Sequence, residues 1–420
     1  MEALAVSNGF APELAELPGA PDWLRTLRRE AFERFEELGF PAPGDEAWRY
    51  TGLQPVVGTA WAPASRPPEI SSADPGVRVR RLSDVPAREV EAFLGRIAGL
   101  EGNAFAALNT SVLDDAVVLQ IAPGAVVPQP IEIVWNAGHA DAASAPTPTS
   151  RRPEATHPRL LILAGERSEA SVVETYAGDG RYLRNAVTEI EVGDGAVLDH
   201  YKIQRESRAA FHVHTLAARQ GRASRFTSHN VALGGALART QLDAILDAEG
   251  AECTLNGLFL GSGNQHIDNH TTIDHAKPHC TSRELYKGIM DDKSRGVFYG
   301  KIIVRPDAQK TDAIQTNKNL LLSREALVNS TPALEIFADD VKCKHGATTG
   351  QLDPAALFYV RSRGIGEADA RALLTRAFAA DVADRLRIGP IREAVLRELD
   401  ARLGGTLEAR LGGATQGDLR

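Results

Sequence analysis

Between about residue 116 and residue 345 the side chains alternate with a period of two, and this run constrains the fold more than any other feature. Ile131, Ile133 and Trp135 alternate with Glu132 and Val134. Val197, Tyr201 and Ile203 oppose His200, Lys202 and Gln204, and Phe211, Val213 and Thr215 oppose His212 and His214. Convincing amphipathic helices are hard to find in this stretch, so it reads as one long β region. Short turns followed by a small residue recur at Gly124-Ala125, Gly195-Ala196, Gly221-Arg222-Ala223 and Gly250-Ala251, the last three 26 and 29 residues apart. A plain sandwich turns roughly every 8–12 residues and closes by about 100. The longer spacing favours a solenoid in which each coil stacks on the last, and a parallel β-helix over a sandwich.

The flanks have helical spacing. Leu14, Leu17, Trp23, Leu24, Leu27, Phe32, Phe35 and Leu38 anchor residues 12–40, with breaks at Pro18, Gly19 and Pro21 and with Asp22 as the expected N-cap. Residues 62–76 read as a linker or exposed loop. One more helix is expected within 86–110, with Val90, Phe93, Ile97 and Leu100 on one face. The Ala-, Pro-, Thr- and Ser-rich stretch 138–157 reads as a mobile surface loop. From about 354 the period returns to 3.6. Leu373, Leu374, Phe378, Val382 and Leu386 form one stripe, and Ile391, Val395, Leu396, Leu399 and Leu403 form another. Pro390 is well placed as a first helical residue. Two such helices cannot fully bury their apolar faces on each other, so they dock on the β core or serve a partner. The expected parts are therefore an N-terminal helical region with linker (1–110), a β-helix core (111–353) and a C-terminal helical region (354–420).

Composition narrows the function. The chain has 420 residues, 55 Asp and Glu against 47 Lys and Arg, and a net charge of −8, the wrong sign for a general nucleic-acid binder. No apolar run approaches the roughly 18 residues of a membrane span, and the first 25 residues show no secretory signal. Cys253, Cys280 and Cys343 are too few for a disulfide framework. A cytoplasmic protein with free thiols, binding neither nucleic acid nor membrane, is expected. Only 9 of the basic residues are Lys, all between Lys202 and Lys344, either a coding bias or a central need for compact ammonium groups.

Nucleotide motifs fail. Gly296 to Lys301 has three residues between its glycines instead of four, and Ile302 stands where a magnesium-binding hydroxyl belongs. His266, His270, His275, His279 and Cys280 lack zinc-knuckle spacing, and alternation would scatter them over both faces of a sheet. Cys343-Lys344-His345 differs in kind. On a strand, Cys343 and His345 project from one face with Cα atoms about 6.6–6.8 Å apart. A thiolate and an imidazole are both competent iron ligands. Three cysteines cannot supply the four thiolates of an ordinary cluster, so any cluster would be incomplete, use His or carboxylate, or be shared between chains.

These residues also carry a resemblance. Ala308 to Ala313, followed by Gln315, Asn317 and Asn319 to Ser323, resembles the SufB/SufD scaffold family of iron–sulfur cluster assembly. So do Leu334-Glu335-Ile336, Asp339 to Thr348, and Leu357 to Ile365, and Glu46 to Thr51 is similar to the family's amino-terminal motif. Val360 stands where SufB usually has Cys, and Cys-x-His-Gly-Ala-Thr is the form of the SufD branch.

The resemblance implies a right-handed parallel β-helix between helical termini, pairing with SufB through the core and carrying the SufC ATPase on the terminal helices. It implies a non-catalytic scaffold with no permanently bound cofactor and a transient iron–sulfur cluster shared with SufB. His345 is the implied ligand candidate and Cys343 the second choice. Leu373, Phe378, Val382, Ile391 and Leu396 are the candidate contacts to the partner ATPase. The resemblance leaves a homodimer open when the chain is alone. The alternatives are a β-helix polysaccharide-processing enzyme and a self-sufficient SufB-like homodimeric scaffold; Val360 argues against the second.

Overall fold

A computed structural model describes residues 20–42, 44–72, 74–137 and 152–403. Its centre is a parallel β-helix. Each coil contributes one strand to an 11-stranded sheet and one to a 9-stranded sheet, so neighbours within each sheet come from alternate strands of the chain. The ladder partners Leu183, Phe211, Leu237, His266, Arg295 and Leu327 follow one another at 28, 26, 29, 29 and 32 residues. The coil length drifts because the turns vary while the strands hold nearly constant length.

The two ends of the stack differ. At the first end, Glu69–Ser71 and Val77–Arg81 pair antiparallel with Ile131–Ala137 and Val117–Ile121. At the other, Leu327–Ile336 and Lys342–Gly350 are the last strands of their sheets. Among the described residues, each leaves one row of backbone groups without a sheet partner. Inside, aliphatic and aromatic residues from both sheets stack in rows, among them Leu198, Phe226, Cys253, Leu255, Phe259, Tyr286 and Phe298.

Alternation in the middle coils has an unexpected sense. His200, Lys202, Gln204, His212 and His214 face the interior, and all are buried. Tyr201 and Ile203 face outward beneath the C-terminal helices, and Phe211 and Val213 face outward beneath the N-terminal part. Both faces are covered, so the polar face can be the inner one provided that its groups pair with each other.

The flanks depart from expectation in instructive ways. The first helix is Asp22–Leu38, but Pro21 occupies the N-cap position and Asp22 lies in the first turn, paired with Arg25. Leu14 and Leu17 lie outside the described residues, as do residues 138–151 of the expected loop; Glu154–Thr156 is a strand. Within the expected linker, Ala62–Pro63 pairs with Glu154–Ala155. The helix expected over 86–110 is displaced to Ala104–Ser111, with Asn103 capping it through the Ala106 N–H. Gly95, Gly99 and Gly102 adopt positive φ and break the earlier segment, although Val90, Phe93 and Ile97 still pack together.

Past the coil stack come helices Pro354–Arg361, Glu367–Ala383 and Gly389–Arg402. The last two lie on the outer face of the 9-stranded sheet. Val382, Leu386, Val395 and Leu399 pack there on Tyr201, Val231, Leu258, Leu285 and Ile289. Of the two fates open to these apolar stripes, docking on the β core is the one observed.

Candidate functional site at the open end of the coil

Cys343 and His345 lie on the edge strand Lys342–Gly350. Their ladder partners are Ala313 and Gln315, 0% and 1% exposed, whereas Lys344 pairs with the partly exposed Ile314. Cys343 and His345 therefore end two inward-facing rows, and Lys344 belongs to the outer face. Cys343 is half-buried against the cluster of Ile302, Val304, Ala308 and Ala313. Burial raises its thiol above the ordinary value, with only a backbone hydrogen bond at Ala313 opposing. His345 is exposed, because among the described residues no further coil covers it.

Large apolar side chains are exposed on the last strand of the 11-stranded sheet and on the helix that follows the coil. Leu327, Ile336 and Phe337 are 43%, 41% and 62% exposed on and just after the other edge strand, and Phe358 and Tyr359 on the following helix are 74% and 60% exposed. Val360 sits on that same helix, away from the coil rows.

Behind His345 its row continues inward through Gln315, Glu284 and Leu255. Gln315 Nε2 donates to Glu284 Oε2 at 2.8 Å. Burial drives the Glu284 carboxyl up to about 7, against hydrogen bonds from Thr271 and Gln315. Deeper coils carry a denser polar interior. His200 Nε2 lies 2.9 Å from Glu174, which also accepts from Tyr176 and Thr188. Burial alone would raise Glu174, but these partners hold it below the ordinary value. Glu206, beside His212 and Arg184, is held at about 2 despite burial. Lys202 donates to Thr240 at 2.6 Å, and burial lowers its ammonium to about 7 in spite of Glu206 and Glu174.

Other sequence candidates separate. His266 and His270 are on the outer face beside Asp268, His275 faces inward to bond Ser282 at 2.9 Å, and His279 occupies a turn. Gly296 to Lys301 lies inside the continuous strand Arg295–Val304, so it forms no phosphate loop. Cys253 and Cys280 are buried, with thiols raised by burial. The Glu46 to Thr51 motif fastens the N-terminal part to the coil. Trp48 stacks on Phe105 and covers the Arg239 guanidinium at 3.8 Å, while Thr51 Oγ1 donates to Asp268 at 2.6 Å.

Of the candidate ATPase contacts, Val382 is 1% exposed against the sheet, and Phe378 and Ile391 rest on the same cluster. Leu373 and Leu396 are half-buried outside it. Sequence reasoning missed Lys287, which donates to the Phe378 carbonyl and to Asp381, each at 2.9 Å, and joins the sheet to the helix. It also missed Glu284 as the residue behind Gln315. Only a ladder register could have revealed either.

A coiled β-helix, covered by antiparallel strands at one end and ending in two edge strands at the other, carries an imidazole and a thiol at that second end. A sequence profile described as "SUF system FeS cluster assembly, SufBD core domain" matches residues 147–378. The chain belongs to this SufBD family of the iron–sulfur cluster assembly system, and the polysaccharide-processing alternative is set aside. It is 34% identical over 303 residues to an iron–sulfur cluster assembly SufBD family protein of Synechocystis, covering 70% of this chain and 65% of that one. It is 39% identical over 252 residues to the iron–sulfur cluster assembly protein SufD of Escherichia coli, covering 59% of each. The chain thus spans less than two thirds of the length of these two relatives. It is 31% identical over 426 residues to the chloroplastic protein ABCI7 of Arabidopsis thaliana, covering 93% of this chain and 88% of that one. Among the described residues no helix is long and apolar enough to cross a membrane.

Proposed function

We propose that the chain is a non-catalytic, SufD-type scaffold subunit acting in the cytoplasm. It pairs with SufB through the open end of its β-helix and carries the SufC ATPase on its C-terminal helices. A nascent iron–sulfur cluster is the cargo, held transiently where the two scaffolds meet. His345 is its ligand from this chain, and Cys343 the second choice. The observation that carries the reading is the position of His345, exposed at the end of an inward row on an edge strand, with Leu327, Ile336 and Phe337 exposed on and just after the other edge strand. An unpaired edge strand beside apolar surface suits a second β-helix adding to the stack.

Leu373 and Leu396 are the two apolar candidates left outside the cluster shared with the sheet, and the ATPase contact is assigned to them. ATP-driven closure of SufC would then pull on helices fastened to the coil by Lys287. Every coil is hydrogen-bonded to its neighbours, so the displacement reaches the open end as near-rigid motion and opens the shared pocket.

Native mass spectrometry of the chain, co-expressed anaerobically with SufB and SufC, tests the assembly. A 1:1:2 complex of SufB, this chain and SufC is expected, and a chain that stays alone or pairs only with itself refutes the reading. Within the complex, His345→Ala should impair cluster formation and Val360→Ala should do little. Equal loss from both would point to damaged packing instead of lost ligation.

A further inference from the structure

The row that ends at His345 carries more than the ligand. Gln315 and Glu284 are 1% and 3% exposed. A side-chain amide has one donating end and one accepting end, and a carboxylate, the form Glu284 takes above about pH 7, only accepts. Because Gln315 Nε2 donates to Glu284 Oε2, Gln315 Oε1 is directed to the other side of the amide. That oxygen is buried and has no hydrogen-bond partner among the described residues. Leaving such a buried acceptor unmade is costly, because it has given up its water without gaining a partner. The next residue of the row on the far side from Glu284 is His345. Neighbouring strands lie about 4.8 Å apart, which puts an imidazole N–H within reach of an amide oxygen.

The opposite wall is shaped for this amide. A Cβ on Gly300 would stand 2.4 Å from Gln315 Nε2 and 2.7 Å from Phe298 Cζ. The space that Gln315 occupies therefore exists because residue 300 has no side chain.

We infer that Gln315 is the positioning residue for His345: its Oε1 accepts one imidazole N–H, leaving the other ring nitrogen bare toward the open end, and Glu284 sets which way the amide faces. This rests on the reading of His345 as a cluster ligand. A free imidazole exchanges its proton between two nitrogens, whereas an iron ligand needs one of them unprotonated. Metal-binding histidines commonly donate the second N–H to a fixed acceptor, and losing that acceptor lowers metal affinity about 10- to 100-fold. Gln315 supplies the acceptor from inside the coil, so the ring is oriented before iron arrives.

The test uses the full chain with ring-15N-labelled histidine, the His345 signal being the one lost in His345→Ala. One tautomer should dominate in the native chain. Gln315→Leu should yield a mixture like that of free imidazole, with affinity for Co2+, added as the metal alone and followed by absorption, lowered about tenfold. Glu284→Gln keeps an acceptor for Gln315 but no longer dictates the direction of its amide, and it should give an intermediate mixture. That variant carries the test if Gln315→Leu fails to fold. Identical tautomer populations in the native chain and in the folded variants would overturn the inference. A shifted tautomer with cluster formation intact in His345→Ala would support the hydrogen bond and remove the ligand role instead.

Discussion

Arg159 and Glu189 face each other at 2.5 Å across adjacent strands of the coil, and neither side chain reaches solvent. The pair is the root of the joint between the N-terminal part and the β-helix. Glu189 also accepts the backbone N–H groups of Gly95, Ile97 and Ala98 at 2.9–3.1 Å, and Arg159 donates to Asn109 and Thr110. A buried charge pair contributes little net stability, but removing one member strands the other.

Glu189→Ala should therefore cost about 3–5 kcal/mol, measured by chemical denaturation. Hydrogen exchange should rise first at Gly95, Ile97 and Ala98, whose N–H groups would lose the Glu189 acceptor. Uniform loss of protection along the coil would contradict this local joint.

Lys287 makes a second joint. Its ammonium lies over the Phe378 ring at 4.5 Å as well as bonding the Phe378 carbonyl. Lys287→Met keeps the stem and loses the donor, at a cost of about 1.5–3 kcal/mol for a charged hydrogen bond. The exposed Asp381 adds little to that figure. Limited proteolysis should show earlier cutting within Glu367–Arg402 while the coil stays resistant.

Glu284 predicts a pH signature. Its carboxyl is raised from an ordinary 4.5 to about 7, so the folded chain binds this proton more tightly than the unfolded chain does. The associated stability is complete below about pH 4.5 and is lost as pH rises to about 7, on the order of 3 kcal/mol in all. Glu284→Gln carries no buried charge at any pH. It should melt above the native chain at pH 8, and the difference should shrink as the pH is lowered to 5. A difference independent of pH would mean that the carboxyl keeps its ordinary value.

Ring and glycine alternate on consecutive coils. Tyr286 stacks over Gly257, where a Cβ would meet the ring at 2.1 Å, and Gly288 lies beside Phe259, where a Cβ would stand 2.3 Å from Cζ. Gly288→Ala should lower stability by about 1–3 kcal/mol through overpacking. Gly346→Ala is the control, since nothing lies within 4 Å of the added atom, and its melting temperature should be unchanged.

The period-two run and the helical stripes of residues 367–403 determined the β-helix and its C-terminal helices, because periodicity is a local property that survives without neighbours. The same alternation placed Cys343 and His345 on one face. It could not say which face was inside. His200, Lys202 and His212 look like a solvated face in sequence, yet they line the interior. The reason is that Phe378, Val382 and Leu399 on one side and Trp61 and Phe105 on the other cover the apolar outer face. The break at Gly95–Gly102 was visible as glycine, but its purpose depended on Glu189, some ninety residues away. The row Glu284–Gln315–His345 joins positions about thirty residues apart, and turns of unequal length keep any fixed period from aligning them. The sequence by itself determined the elements and the candidate ligands; only the stacking of coils decided which side chains meet, since register between distant strands is set by packing and not by local preference.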